Sequence, residues 1–219
     1  MQSREVRSRI TEIGIVPSAR VKNPEHARFA AEALYEAGIP VLEVTMTVPR
    51  ALEVVADLAK RFADLVIGAG TVLDEQTAQQ CIDAGARFVT SPGLVPDVLA
   101  CARKADVVVF PGALTPSEVV AGWKAGADFV KIFPAATAGG PNYIRTLKVP
   151  LPQVPLIVSG GVNQLTAFDY ILAGADAIGV GSELLPKEAL QNKQGETIHE
   201  LARRFLIMVK EARAQRGGI

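Results

Sequence analysis

Short apolar runs alternate along this chain with longer stretches in which hydrophobic positions recur at helical spacing. Four times the change from one to the other is marked in the same way. A helical pattern ends in Ala-Gly and a run apolar at nearly every position follows, around Gly38 (YEAGIPVLEV), Gly85 (DAGARFVTS), Gly126 (KAGADFVKIF) and Gly174 (LAGADAIGVG). Glycine just past a helix takes the left-handed conformation that closes the last turn, so each copy predicts a helix end. Apolar runs without alternation predict strands covered on both faces, as in a parallel sheet flanked by helices. Between these copies, further strands are predicted at 13–16, 65–67, 107–110 and 156–158, bringing the count to eight. Helices are predicted near 24–38, 49–61, 75–84, 95–104, 116–125, 141–147, 163–173 and 196–214. Asn23-Pro24 and Thr115-Pro116 each join a capping side chain to proline at the first helical position. Asp74-Glu75 puts negative charge where the helix macrodipole favours it.

Eight βα units in 219 residues fit an α/β fold of the compact (β/α)8 barrel type, near the lower end of its ~200 to >400 residue range. No linker, low-complexity tract or composition shift interrupts the chain, so a single domain over 1–219 is expected. An open, doubly wound sheet is the alternative, because alternation alone does not decide closure. Placement of the polar exceptions favours the barrel. Glu43-Val-Thr45, Gly70-Thr71, Ser91-Pro92-Gly93, Pro111-Gly112, Lys131, Ser159-Gly160-Gly161 and Gly179-Val-Gly181-Ser182 all lie in or just after strands. Barrel enzymes gather their sites from several strand ends at that carboxyl-terminal face.

The chemistry centres on two of these exceptions. Lys131 interrupts Phe129-Val130-Lys131-Ile132-Phe133, and Glu43 interrupts Val41-Leu42-Glu43-Val44-Thr45. An ammonium in such a run loses hydration, which favours the free amine, and a free amine can attack a ketone to form a Schiff base. A buried acid on a second strand makes a catalytic pair, with a static salt bridge as the structural alternative. The glycine turns at Ser159-Gly160-Gly161 and Gly181-Ser182 offer backbone N–H groups and hydroxyls to an anion. Plain tight turns are the alternative there, and Ser182 discriminates the two.

Composition narrows the field. Hydrophobic residues make up 49% of the chain, and 23 Lys+Arg balance 23 Asp+Glu. With no basic block, nucleic-acid binding is not expected, and no apolar stretch is long enough to cross a bilayer. The polar start, MQSREVRSRITEIG, has no signal-peptide core, and a cytoplasmic location is expected. Cys81 and Cys101 lack CxxC spacing and are read as buried small hydrophobes. His26 and His199 lie on charged helix faces outside any ligand cluster, which points away from a protein-bound metal. Gly68-Ala69-Gly70-Thr71 is too short for a nucleotide fingerprint.

LEVTMTVP, IGAGTVL, SPGL, FPGALTPSE, DFVKIFPAA, SGGV and GVGSEL occur in this order. Together they resemble the class I aldolases that cleave 2-keto-3-deoxy-6-phosphogluconate (KDPG) and 2-keto-4-hydroxyglutarate (KHG), over nearly the whole chain. The resemblance implies Lys131 as Schiff-base nucleophile and Glu43 as general acid/base, with no cofactor or metal beyond the covalent substrate adduct at Lys131. It implies the phosphate at Ser159, Gly160, Gly161, Gly181 and Ser182. It also implies that Thr71, Pro92 and Phe133 line the pyruvate half of the pocket, and that the assembly is a homotrimer. The partner is then a phosphorylated keto acid. Two positions depart from the family pattern. Thr47 stands where some members have arginine, leaving Arg20 as the expected anion clamp, and Ser159 stands where many have threonine. KDPG is the leading substrate, with KHG alongside it. The galactonate epimer and a non-catalytic phosphometabolite-binding barrel or assembly subunit are the alternatives.

Overall fold

Helices in this chain stop where the glycines predict: Gly38, Gly85, Gly126 and Gly174 all have φ between 83° and 112°, a region that costs other residues strain. The computed structural model describes residues 1–217. It begins with α1 (Ser3–Ile13), β1 (Ile15–Ala19), α2 (Pro24–Glu36), β2 (Val41–Thr45), α3 (Ala51–Arg61), β3 (Val66–Gly70), α4 (Glu75–Asp83), β4 (Phe88–Thr90), α5 (Pro96–Lys104), β5 (Val108–Phe110) and β6 (Gly112–Ala113). It continues with α6 (Pro116–Lys124), β7 (Val130–Ile132), α7 (Gly140–Lys148), β8 (Leu156–Ser159), α8 (Ala167–Leu172), β9 (Ala177–Val180), α9 (Lys187–Gln191) and α10 (Gly195–Gly217). The predicted caps form: Asn23 accepts from the Glu25 N–H, Asp74 from Thr77 and Thr115 from Glu118.

All strand pairs are parallel, in the order β5-β4-β3-β2-β1-β9-β8-β7-β6. The two ends of that order, β5 and β6, are separated in the chain by Pro111 alone. Proline has no N–H to offer a ladder, but its carbonyl accepts from the Lys131 N–H at 2.9 Å. One bent strand therefore pairs with β4 through its first half and with β7 through its second. The ring closes with eight strand positions, and the open-sheet alternative falls.

Three local expectations need correction. Residues 3–13 form a helix where only a polar amino terminus was expected. Most of its side chains are charged or polar, and it is anchored through Val6 and Ile10, 1% and 0% exposed. The first strand consequently starts at Ile15, after Gly14 (φ 71°) ends α1. Helix α8 begins at Ala167 because the Asn163 side chain accepts from Leu165 and Thr166 N–H groups and holds a turn there. The short α9 had no sequence signal.

Strand side chains alternate between the two faces, and this divides the interior in two. Leu42, Val44, Ile67, Ala69, Val130, Ile132 and Val158 face the helices in the larger core. Val16, Val41, Val66, Phe88, Val108, Phe110, Phe129 and Ile157 point into the ring and meet Val6 and Ile10 of α1, which plugs its amino-terminal end. The Phe88 and Phe110 rings stack at 5.0 Å, and Phe110 meets Phe129 edge-on at 6.1 Å. One strand repeat beyond this apolar layer, the inward positions become Ser18, Glu43, Gly68, Lys131, Ser159 and Gly179.

Candidate active site

Glu43 and Lys131 meet inside the ring. The Lys131 Nζ lies 3.4 Å from Glu43 Oε2, and the residues are 8% and 3% exposed. The other carboxylate oxygen, Oε1, accepts from the Ser18 hydroxyl at 2.9 Å. Ser18 sits opposite Glu43 in the β1–β2 register. A side chain at Gly70 on β3 would collide with the Glu43 carboxylate, so glycine there makes its room. Removing both charges from water costs more than such a pair regains unless other groups complete its hydrogen bonding. Stability alone is thus a poor account of the pair. A buried acid and amine beneath a cavity are what acid–base and nucleophilic chemistry require.

Above the pair opens a cavity of about 830 Å³, whose lining includes Ser18, Arg20, Phe133, Ser159, Gly160, Gly161, Gly181 and Ser182. Lys131 and Glu43 are not on that lining but lie one contact beneath it. Ser18 bonds the acid, and the Phe133 ring centroid is 5.8 Å from Lys131 Nζ. Gly160 and Gly161 have φ of 88° and 85°. A Cβ at Gly160 would stand 2.9 Å from Pro134 Cα, so the turn is both left-handed and closely packed. Gly179 plays a matching part on β9, where a Cβ would come within 2.8 Å of Ser159 Oγ.

Not every expected residue reaches the cavity. Thr71 and Pro92 lie off its lining. Thr71, held at φ 61°, is joined to the cavity by Arg20, whose Nη2 donates to its hydroxyl at 3.3 Å. Pro92 presents its carbonyl to Gly112, the register partner of Lys131. Thr47 is exposed, its hydroxyl 2.7 Å from that of Thr45. His26 is half-buried on the cavity wall rather than on a solvated face, and His199 faces Glu36 at 3.5 Å.

Charges on the cavity wall favour an anion: Arg20, Lys22 and Lys187 against Glu183. Lys22, Lys187 and Ser18 were not singled out from the sequence. Ser18 was findable, since it falls two positions before Arg20 on the inward face of β1. Lys187 was not, because α9 had no signal. Among the described residues, no group of three His, Cys, Asp or Glu side chains could hold a metal ion.

Residues 6–201 match the model of the family described as KDPG and KHG aldolase. The KHG/KDPG aldolase of Escherichia coli K12 is 36% identical over 190 residues, 86% of this chain and 89% of the relative. The chain belongs to the KDPG and KHG aldolase family. Among solved structures, KDPG aldolase from Legionella pneumophila, with pyruvate captured as a covalent carbinolamine intermediate, has a TM-score of 0.84. It is 34% identical, over 90% of this chain and 96% of that one. The KDPG aldolase of Zymomonas mobilis ZM4 with 3-phosphoglycerate has a TM-score of 0.83 at 30% identity, covering 93% and 95%. The family match takes in every residue of the candidate site, from Ser18 to Lys187, together with the plug helix from Val6 onward. The aldolase resemblance read from the strand-end motifs is thus borne out.

Proposed function

We propose that this chain is a class I aldolase that splits 2-keto-3-deoxy-6-phosphogluconate into pyruvate and glyceraldehyde 3-phosphate, with Lys131 as nucleophile and Glu43 as general acid/base. The observation that carries the reading is the buried 3.4 Å contact between Lys131 Nζ and Glu43 Oε2 beneath an anion-favouring cavity.

Glu43 takes a proton from Lys131, and the freed amine adds to the C2 ketone to give a carbinolamine. Glu43 returns the proton to the departing hydroxyl, and water leaves an iminium. That cation accepts the electron pair of the C3–C4 bond once the C4 hydroxyl loses its proton, so glyceraldehyde 3-phosphate departs and an enamine remains. Protonation at C3 and hydrolysis release pyruvate and restore the amine. Proton transfer by a positioned carboxyl group contributes typically ~10²–10⁴-fold, and the electron sink at nitrogen supplies the covalent part.

The glycine N–H groups at 160, 161 and 181 and the Ser182 hydroxyl take the phosphate, with Lys22 and Lys187 adding positive charge at the wall. Arg20, bonded to Thr71, holds the carboxylate end; Phe133 shapes the pyruvate half from the cavity wall, and Pro92 supports it from behind, against Gly112 beside Lys131. The L. pneumophila structure with its covalent pyruvate carbinolamine supports the same chemistry at Lys131, and the Z. mobilis structure with 3-phosphoglycerate supports a phosphorylated ligand. The E. coli relative is named for both substrates, which supports 2-keto-4-hydroxyglutarate as a second one. A homotrimer in the cytoplasm is the expected working form. Sedimentation as a monomer at working concentration would remove the trimer.

Borohydride reduction in the presence of pyruvate tests the function. A reduced pyruvate adduct on the peptide carrying Lys131, absent in Lys131→Ala, is expected. An unmodified parent protein that still binds phosphate would instead indicate a non-catalytic binder. Side-by-side kinetics on the phosphogluconate, phosphogalactonate and hydroxyglutarate substrates rank them.

A further inference from the structure

Glu43 has two close polar partners, and the shorter contact is not with Lys131. Ser18 Oγ stands 2.9 Å from Oε1, whereas Lys131 Nζ stands 3.4 Å from Oε2. The lysine is also the partner that chemistry alters. Its nitrogen carries three hydrogens as ammonium, two as amine and one in the carbinolamine and the iminium. Ser18 undergoes no such change. We propose that Ser18 is a positioning residue that keeps the Glu43 carboxyl group oriented while Lys131 passes through its covalent states. The inference rests on the aldolase reading and deepens it.

Three observations carry it. The β1–β2 register sets Ser18 directly across from Glu43, so the hydroxyl needs no long reach. Glu43 is 3% exposed, and a carboxyl group so far from water depends on protein donors for its hydrogen bonds. Gly70 leaves its side of the carboxylate without a side chain, so position 70 supplies no side-chain donor to it. The remaining polar groups nearby are engaged elsewhere. On Glu43's own strand, the Thr45 hydroxyl bonds the Ala19 carbonyl and Thr47, and the Arg20 guanidinium at the end of β1 bonds Thr71. Lys131 from β7 is the charged group facing the acid. Ser18 also lines the cavity, so its lone pairs can accept from water or substrate there while its O–H donates to Glu43.

The sign of the effect follows from the bond. Ser18→Ala should lower kcat about tenfold, the scale of one hydrogen bond to a charged group. Ser18→Thr, which keeps the hydroxyl, should return kcat toward the parent. The decisive arm is a double-mutant cycle on the rate of borohydride-trappable pyruvate adduct formation. If Ser18 works through Glu43, Ser18→Ala should cost about tenfold in the parent and nothing further in Glu43→Gln. An unchanged rate in Ser18→Ala, or losses that multiply independently in the double variant, overturns the assignment. A parent protein that forms no adduct overturns the aldolase reading instead, so the two failures are distinct.

Discussion

Inside the ring, two layers one strand repeat apart are built on opposite terms. The lower layer is Val16, Val41, Val66, Phe88, Phe110, Phe129 and Ile157, sealed by Val6 and Ile10 of α1. The upper layer holds Ser18, Glu43, Lys131 and Ser159, with glycines at 68, 70 and 179 where side chains would collide with neighbours. The backbone is the same, and so is the inward direction. What differs is which free energy each layer serves. Close-packed apolar groups stabilise the ring by leaving water. The buried charges gain nothing comparable, and the glycines among them give up side-chain contacts. A barrel can carry so unfavourable a layer because the one below is dry and well packed.

The sharpest way to break the contrast is to make the upper layer resemble the lower. Lys131→Met combined with Glu43→Leu should abolish turnover and pyruvate trapping. Its unfolding free energy should stay level or rise by about 1–4 kcal/mol, since both charges leave together. Urea denaturation alongside the assay checks both halves. Glu43→Gln alone keeps the shape and removes the titratable group. It should lower kcat by ~10²–10⁴-fold with an unchanged circular-dichroism spectrum. The reverse experiment attacks the lower layer from its plug. Ile10→Ala should cost about 2–5 kcal/mol of stability, read from the urea midpoint, while kcat of the folded enzyme changes less than twofold. The smallest effect concerns a nucleophile outside the ring. Burial, with Asp74 nearby, pushes the Cys81 thiol up to about 12. The reactive thiolate is therefore scarce until the solution becomes strongly alkaline. Iodoacetamide at pH 8 should leave Cys81 unlabelled in the native protein and label it after unfolding.

Much of this contrast is legible in the sequence. Glu43 and Lys131 are conspicuous because each breaks an otherwise apolar run, and the Ala-Gly helix ends announce the strands that bear them. The layers themselves are also written there, since Val41/Glu43 and Phe129/Lys131 share the two-residue spacing of one strand face. Residues that depend on neighbours across the ring were harder to find. Nothing local marks Ser18 as the partner of Glu43, because the β1–β2 register creates that contact. Gly70 reads as a turn until the carboxylate beside it is seen. Helix α1 escaped because burial of two side chains in an otherwise charged segment leaves little trace in composition. Its partners are nine inward-facing residues scattered from Val16 to Ala177.

Pro111 carries one last implication. The bent strand it divides is where the circle joins, and the carbonyl at the joint bonds the amide of Lys131 itself. The rate at which that single amide trades protium for deuterium therefore gauges how often the cylinder springs open. Any opening there would loosen the backbone that aims the nucleophile.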